Sequence, residues 1–183
     1  RLEKPLAPGS TIGILGGGQL GRMLALAAGE LGFSCHIFAP EADSPAFQVS
    51  GAHTVAGYHD FTALEGFAKS VAVVTYEFEN VPGDTAAFLE SRVALAPGSG
   101  ALKTAQDRVD EKTFIAGLGI PVAPFAAVNG QPELEAAIAL IGRPSVLKTR
   151  RFGYDGKGQT KITEKTSAAA AWASCSARSS CSP

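Results

Sequence analysis

The chain has 183 residues, of which 45% are hydrophobic and 18% charged, and its formal net charge is −1. That composition is globular, with room for one domain or one domain and part of a second. It excludes a bulk basic field for nucleic acid, and no apolar run is long enough to span a bilayer. The polar start RLEKPLAPGS carries no apolar signal region, so the expected location is cytoplasmic.

In chain order, TIGILG reads as a buried strand. Gln19 to Leu31 reads as a helix whose apolar face is Leu20, Leu24, Leu26, Ala27 and Leu31. SCHIFA is a second strand and Thr54 to Ala56 a weak third. Asp60 to Lys69 is a helix with Phe61, Leu64, Phe67 and Ala68 on one side. VAVVTY is a continuous β-branched run, the pattern of a strand buried on both faces of a parallel sheet. Pro82 opens a helix through Leu89, and VALA closes the unit. Strands alternating with helices predict an α/β, doubly wound, Rossmann-like parallel sheet over residues 1–98.

PGSG marks a turn near residue 97. Ala101 to Leu118 reads as one helix ending at Gly119, followed by Pro121. APFAAV reads as a strand, Gln131 to Ile141 as a helix, SVLKTR as a strand, and QTKI as a last strand after a glycine loop. A second, incomplete αβ unit is therefore expected over 99–163. From Ser167 to Pro183 the chain holds six Ser and six Ala and no Leu, Ile or Val. Such a segment buries too little apolar area to offset its ordering entropy. Residues 164–183 are expected to be a low-complexity disordered tail on a truncated product. Cys35, Cys175 and Cys181 show no zinc spacing, and His36, His53 and His59 are scattered, so no metal site is expected in this chain.

Two glycine loops carry the chemistry. ILGGGQLGRM fits G-x-G-x-x-G at Gly16, Gly18 and Gly21, between a strand and a helix. Three readings are open: a dinucleotide, with Glu41 on its ribose; another phosphate or anion at the helix start; or tight packing. Gln19 and Arg22 flank the turn, and an Arg in the first helical turn is a further donor for a phosphate monoester or carboxylate. The sheet also ends by residue 96, with no second dinucleotide half. The other loop, RRFGYDGKGQ, places three glycines, Arg150, Arg151 and Lys157 between two strands, with Lys148 just before it. It reads as a hairpin over phosphates or as an exposed basic turn. Between the loops, TYEFENVP puts Glu77 and Glu79 at the carboxyl end of a buried strand, where open α/β sheets bind ligands. Solvated loop carboxylates are the alternative.

Together, ILGGGQLGRM, TYEFENVP, Asp107-Arg108 and VLKTRRFGYDGKGQ resemble the N5-carboxyaminoimidazole ribonucleotide synthetases of the ATP-grasp superfamily, over roughly residues 10 to 163. The resemblance implies a pre-ATP-grasp domain followed by the start of an ATP-grasp domain. It implies carboxylation of 5-aminoimidazole ribonucleotide with ATP and bicarbonate, in purine synthesis. Gly17, Gly18, Gln19 and Leu20 would bind that substrate, with either Glu77 or Glu79 approaching its aminoimidazole. Arg108, Lys148, Gly153, Tyr154, Asp155, Gly156, Lys157, Gly158 and Gln159 would bind ATP, with Tyr154 and Asp155 catalytic. Magnesium ligands and a homodimer are implied as well, the ligands in a further part of the family's chain. This chain by itself is therefore expected to be an inactive fragment. The competing functions are an NAD-binding Rossmann oxidoreductase fragment and a non-catalytic nucleotide-binding module.

Overall fold

TIGIL forms β1 (Thr11–Leu15), the middle strand of a five-stranded sheet. Its companions are β2 (Ser34–Ala39), β3 (Ala52–Val55), β4 (Val73–Tyr76) and β5 (Ala94–Leu95). All four pairings are parallel, in the order β3-β2-β1-β4-β5. The computed structural model describes residues 4–153 and 158–179. It divides into two compact units, Arg1–Lys103 and Thr104–Pro183.

The apolar strands are continuous because both sheet faces are covered. Side chains alternate across the sheet, so Ile14 and Ile37 join one layer and Leu15 and Phe38 the other. The first layer is closed by α1 (Gln19–Glu30) and a short 3-10 helix at Pro45–Val49. The second is closed by α2 (Phe61–Lys69), α3 (Gly83–Glu90) and Leu102 of α4 (Ser99–Gln106). Phe38 and Phe67 lie there fully buried with ring centroids 5.3 Å apart. Each contributes roughly 1.5–3 kcal/mol of burial.

The face of α1 is the reverse of the expected one. Gly21, Ala25 and Ala28 are buried, whereas Leu20, Leu24, Leu26 and Leu31 are exposed. Small residues let the helix approach the sheet and the 3-10 helix closely, and this packing overrides the count of apolar residues.

His36 on β2 is half-buried, with Nδ1 2.8 Å from Ser70 Oγ and Nε2 2.9 Å from Thr54 Oγ1. Burial, and then the neighbouring His53, lower its pKa below the ordinary imidazole value. A depressed histidine pKa favours the folded state while the ring is neutral. The stabilisation is complete above the unfolded value near ~6.5 and is lost as pH falls below it. Thermal unfolding between pH 7.5 and 5 is expected to show a falling Tm, with a shallower fall in His36→Gln. Parallel curves for the two proteins would contradict this.

In the second unit, the helix expected over 101–118 is broken. Asp107 is extended (φ −120°, ψ 120°) and separates α4 from α5 (Arg108–Gly117). Its carboxylate accepts from the amides of Val109 (2.9 Å) and Asp110 (3.4 Å), capping α5. Residues 123–128, expected as a strand, join no ladder, and Pro124 lacks the N–H that pairing needs. α6 (Gln131–Ile141) is as expected. β6 (Ser145–Lys148) and β7 (Gln159–Ile162) pair antiparallel, Lys148 opposite Gln159. The segment expected to be disordered carries α7 (Ala168–Ser179). Ala168, Ala171 and Cys175 pack on Leu134, Leu147 and Ile162. Alanine is the best helix former, and its small side chain buries against a sheet without needing Leu or Val. Residues 180–183 lie outside those described. Among the described residues no helix is long and apolar enough to cross a membrane.

Candidate functional site

Two candidate regions emerge, one in each unit. In the first, β1 and β4 are neighbours, and the chain reverses its strand order between them. Ligands of open α/β sheets bind beyond the carboxyl ends of strands at such a point. Leu15 pairs with Tyr76, so the residues that follow, Gly16 and Glu77, meet at the sheet edge. The Glu77 amide donates to Leu15 O (3.1 Å). The Glu77 side chain enters the glycine turn: Oε1 accepts from Gly18 N (2.8 Å), and Oε2 accepts a short bond from Gly21 N. A charged acceptor on two amides at a helix start is among the stronger hydrogen-bond arrangements.

The glycines follow from this contact. A Cβ on Gly16, which has φ +104°, would lie 2.4 Å from Glu77 Cγ. On Gly18 it would lie 2.9 Å from Glu77 Oε1, and on Gly21 2.7 Å from Gly16 O. Gly17 is tight against Ser44 and Ala39, and its carbonyl accepts from Ala46 N (2.9 Å). Gln19 and Leu20, at the start of α1, are exposed.

Arg22, expected as a further anion donor, is engaged within the unit. Its NH1 donates to Pro45 O (3.3 Å) and to Gln48 Oε1. Glu41 is exposed beyond β2, as is Glu79 beyond β4. The Tyr58 phenol is pushed up by burial, then by Glu41 and Glu77, and stays protonated. Asn80 Oδ1 is buried and has no hydrogen-bond partner among the described residues. Sequence reading missed this acceptor, and nothing in the residue pattern distinguishes it from a solvated loop amide.

In the second unit, Arg108 and Lys148 line one open cavity of about 570 Å3, with Lys112, Phe125, Ile138 and Leu147 among its other walls. That volume lies within the range of small-molecule sites. β6 delivers Lys148 and the start of α5 delivers Arg108. A mutual clasp holds the two segments together. Arg108 N donates to Arg150 O (3.0 Å), and Arg108 NH2 donates to Gly153 O (2.9 Å). Arg150 answers with Nε on Asp107 Oδ1 (3.0 Å) and NH2 on Asp107 Oδ2 (2.8 Å). Arg151 NH2 reaches Gln106 Oε1 (2.9 Å). The arginine pair expected to face phosphates is thus spent on the helix junction. Burial would raise the Asp107 carboxyl, but Arg150 and the two capping amides outweigh it and hold it below the ordinary carboxylate value.

At the loop's ends, Phe152 is a non-glycine residue at φ +59°, an uncommon conformation that recurs at functional sites. Gly158, at φ +67°, is buried, and its carbonyl accepts from Thr149 N (2.7 Å). Gln159 begins β7. Tyr154, Asp155, Gly156 and Lys157 lie outside the described residues. The role of Asp107 was missed as well. Its signal was present: an Asp followed three and four residues later by Asp110 and Glu111, in a stretch read as continuous helix.

A Rossmann-like unit whose glycine turn closes on a carboxylate, followed in the same chain by a unit with a cationic cavity and a glycine hairpin, points to a class of nucleotide-using synthetases. The chain belongs to the ribonucleotide synthetase preATP-grasp domain family, which matches residues 9–106; the ATP-grasp domain family matches residues 113–181. It is 48% identical over 157 residues to the N5-carboxyaminoimidazole ribonucleotide synthase of Brucella melitensis, covering 86% of this chain and 43% of that one. A solved N5-carboxyaminoimidazole ribonucleotide synthetase in its ADP complex superposes with a TM-score of 0.90 at 43% identity, over 96% of this chain and 47% of that one. The Aspergillus clavatus synthase, solved with ADP and 5-aminoimidazole ribonucleotide, superposes with a TM-score of 0.81 at 28% identity, over 93% and 45%. The chain thus spans less than half the length of these relatives. The NAD alternative is not favoured, since the Gly18 and Gly21 amides of the glycine turn are bonded to Glu77.

Proposed function

We propose that the chain carries the ribonucleotide side, and part of the ATP side, of an ATP-dependent carboxylation of 5-aminoimidazole ribonucleotide in purine synthesis. The observation that carries this reading is the convergence of Arg108 and Lys148 on one cavity in the unit that matches the ATP-grasp family. In the proposed reaction a bicarbonate oxygen attacks the γ-phosphorus of ATP, giving carboxyphosphate and ADP. The substrate's exocyclic amine then attacks the carboxyl carbon, phosphate leaves and the amine loses a proton. Such phosphoryl transfer depends on cations that spread the developing negative charge. Arg108 and Lys148 fit that task, and both are proposed to contact ATP.

Gly153, Tyr154, Asp155, Gly156, Lys157, Gly158 and Gln159 are proposed as the covering loop, which must keep water from carboxyphosphate. Tyr154 and Asp155 are its proposed catalytic members. Gly17, Gly18, Gln19, Leu20, Glu77 and Glu79 are proposed on the ribonucleotide side. Among the described residues no group of three or more His, Cys, Asp or Glu is arranged for a metal, and the magnesium ligands are proposed to lie in a further part of the family's chain. The homodimer and the cytoplasmic location rest on resemblance to the family.

The test is calorimetric titration of the chain with 5-aminoimidazole ribonucleotide, ADP-magnesium and NAD in parallel. Ribonucleotide and ADP are expected to bind and NAD is not. Lys148→Ala is expected to weaken ADP by about 10- to 100-fold, the loss of one charge-assisted contact of about 1.5–3 kcal/mol. NAD binding without ribonucleotide binding would overturn the reading.

A further inference from the structure

We propose that Glu77 is the resident anion of the glycine turn and determines what the first unit accepts. It excludes phosphate from the turn and reserves that edge of the sheet for a neutral or hydrogen-bond-donating part of the ligand. The identity of that ligand as a ribonucleotide rests on the function proposed above. The exclusion itself does not.

The argument begins with what a glycine turn at a helix start ordinarily does. Its amides and the helix dipole attract an anion, and its missing side chains let that anion approach. Here both features are used internally. Two of the amides at the turn, those of Gly18 and Gly21, are bonded to the two Glu77 oxygens. The space that Cβ atoms on Gly16 and Gly18 would take is occupied by Glu77 Cγ, Cδ and Oε1. Gly16 N is committed to Phe38 O (2.9 Å). Glu77 is held from behind as well, because its own amide is bonded to Leu15 O and it follows directly on β4.

A phosphate entering this turn meets a carboxylate rather than a pair of open donors. Two like charges 4 Å apart in a partly buried setting weaken binding by on the order of 1000-fold. Arg22, the cation that flanks the turn in sequence, is engaged elsewhere, bonded to Pro45 and Gln48. A phosphorylated ligand must therefore hold its phosphate away from the turn. The group it brings to Glu77 is one that donates hydrogen bonds to a carboxylate, an amine or a hydroxyl.

The probe is inorganic phosphate, added to the 15N-labelled chain and followed at the Gly18 and Gly21 amide resonances. In the wild type these resonances are expected to stay unmoved at millimolar phosphate. In Glu77→Ala they are expected to shift saturably, with phosphate bound at least 100-fold more tightly. Glu77→Gln keeps the shape of the side chain without its charge and serves if the alanine variant does not fold. A saturable phosphate shift of both amides in the wild type would overturn the proposal. So would a variant with otherwise native resonances whose Gly18 and Gly21 amides ignore phosphate. Neither outcome bears on ATP or bicarbonate. A chain that excludes phosphate yet fails to bind 5-aminoimidazole ribonucleotide would refute the proposed function and leave this inference standing.

Discussion

Gly16→Ala is expected to lower the stability of the first unit by about 2–6 kcal/mol. Two costs add. The position has φ +104°, where an L side chain is strained by about 1–3 kcal/mol. The new Cβ would stand 2.4 Å from Glu77 Cγ, and such overpacking costs about 1–3 kcal/mol. Glu77 has little freedom to yield, because any retreat breaks its bonds to Gly18 and Gly21. For a unit of this size, at about 4–8 °C per kcal/mol, the loss lowers Tm by roughly 8 °C or more. Gly66→Ala is the control. It lies inside α2 with nothing within 4 Å of a built Cβ, and the change there is expected to stabilise by up to about 1 kcal/mol. Thermal unfolding of the two variants side by side reads both signs. Equal Tm values would show that the turn is not closed on Glu77 as described.

Asp107→Ala is expected to unfasten the second unit where its cavity is assembled. The carboxylate serves twice, as the cap of α5 and as the bidentate partner of Arg150. Loss of the cap alone costs about 1–2 kcal/mol. The larger effect falls on Arg108, the next residue, whose guanidinium is aimed by its bond to Gly153 O. ADP binding is expected to weaken by about 10-fold or more, the scale of one misplaced charge-assisted contact. Asp107→Asn separates the two roles, since it can still cap α5 but offers Arg150 no charge. The pH dependence has a definite sign. A carboxyl held below its ordinary value stabilises the fold above the unfolded pKa near ~3.9, and that stability is lost as pH falls through it and below. The acid limb of the second unit's unfolding curve should therefore flatten in Asp107→Asn. An unchanged ADP affinity together with an unchanged acid limb would remove Asp107 from the site.

The order of strands and helices in the first unit was legible because each element repeats its own period. VAVV could only be a strand covered on both faces, and it lies between β1 and β5 in the sheet. The face of α1 was not legible. Leu20, Leu24, Leu26 and Leu31 outweigh Gly21, Ala25 and Ala28 in any count of apolar residues, yet the close approach of helix to sheet selects the small side. The break at Asp107 and the helix after Ala168 were misread for a related reason. In both, a local preference for capping or for helix acts with a tertiary partner that a window of neighbouring residues does not contain. Arg150 stands 43 residues from Asp107, and Leu147 and Ile162 receive the small residues of α7.

The sequence by itself determined the class of fold, the presence of two glycine loops, and a set of motifs resembling one family of ATP-using synthetases. These are carried by residue type and spacing, which a linear chain displays. The tertiary structure alone decided what each motif touches. Parallel pairing of β1 with β4 sets Glu77 against a turn 59 residues away. It thereby converts an apparent phosphate cradle into an internally bonded carboxylate site. Side-chain charge is written in the sequence, but the partner that satisfies a charge is set by distance, and distance belongs to the fold.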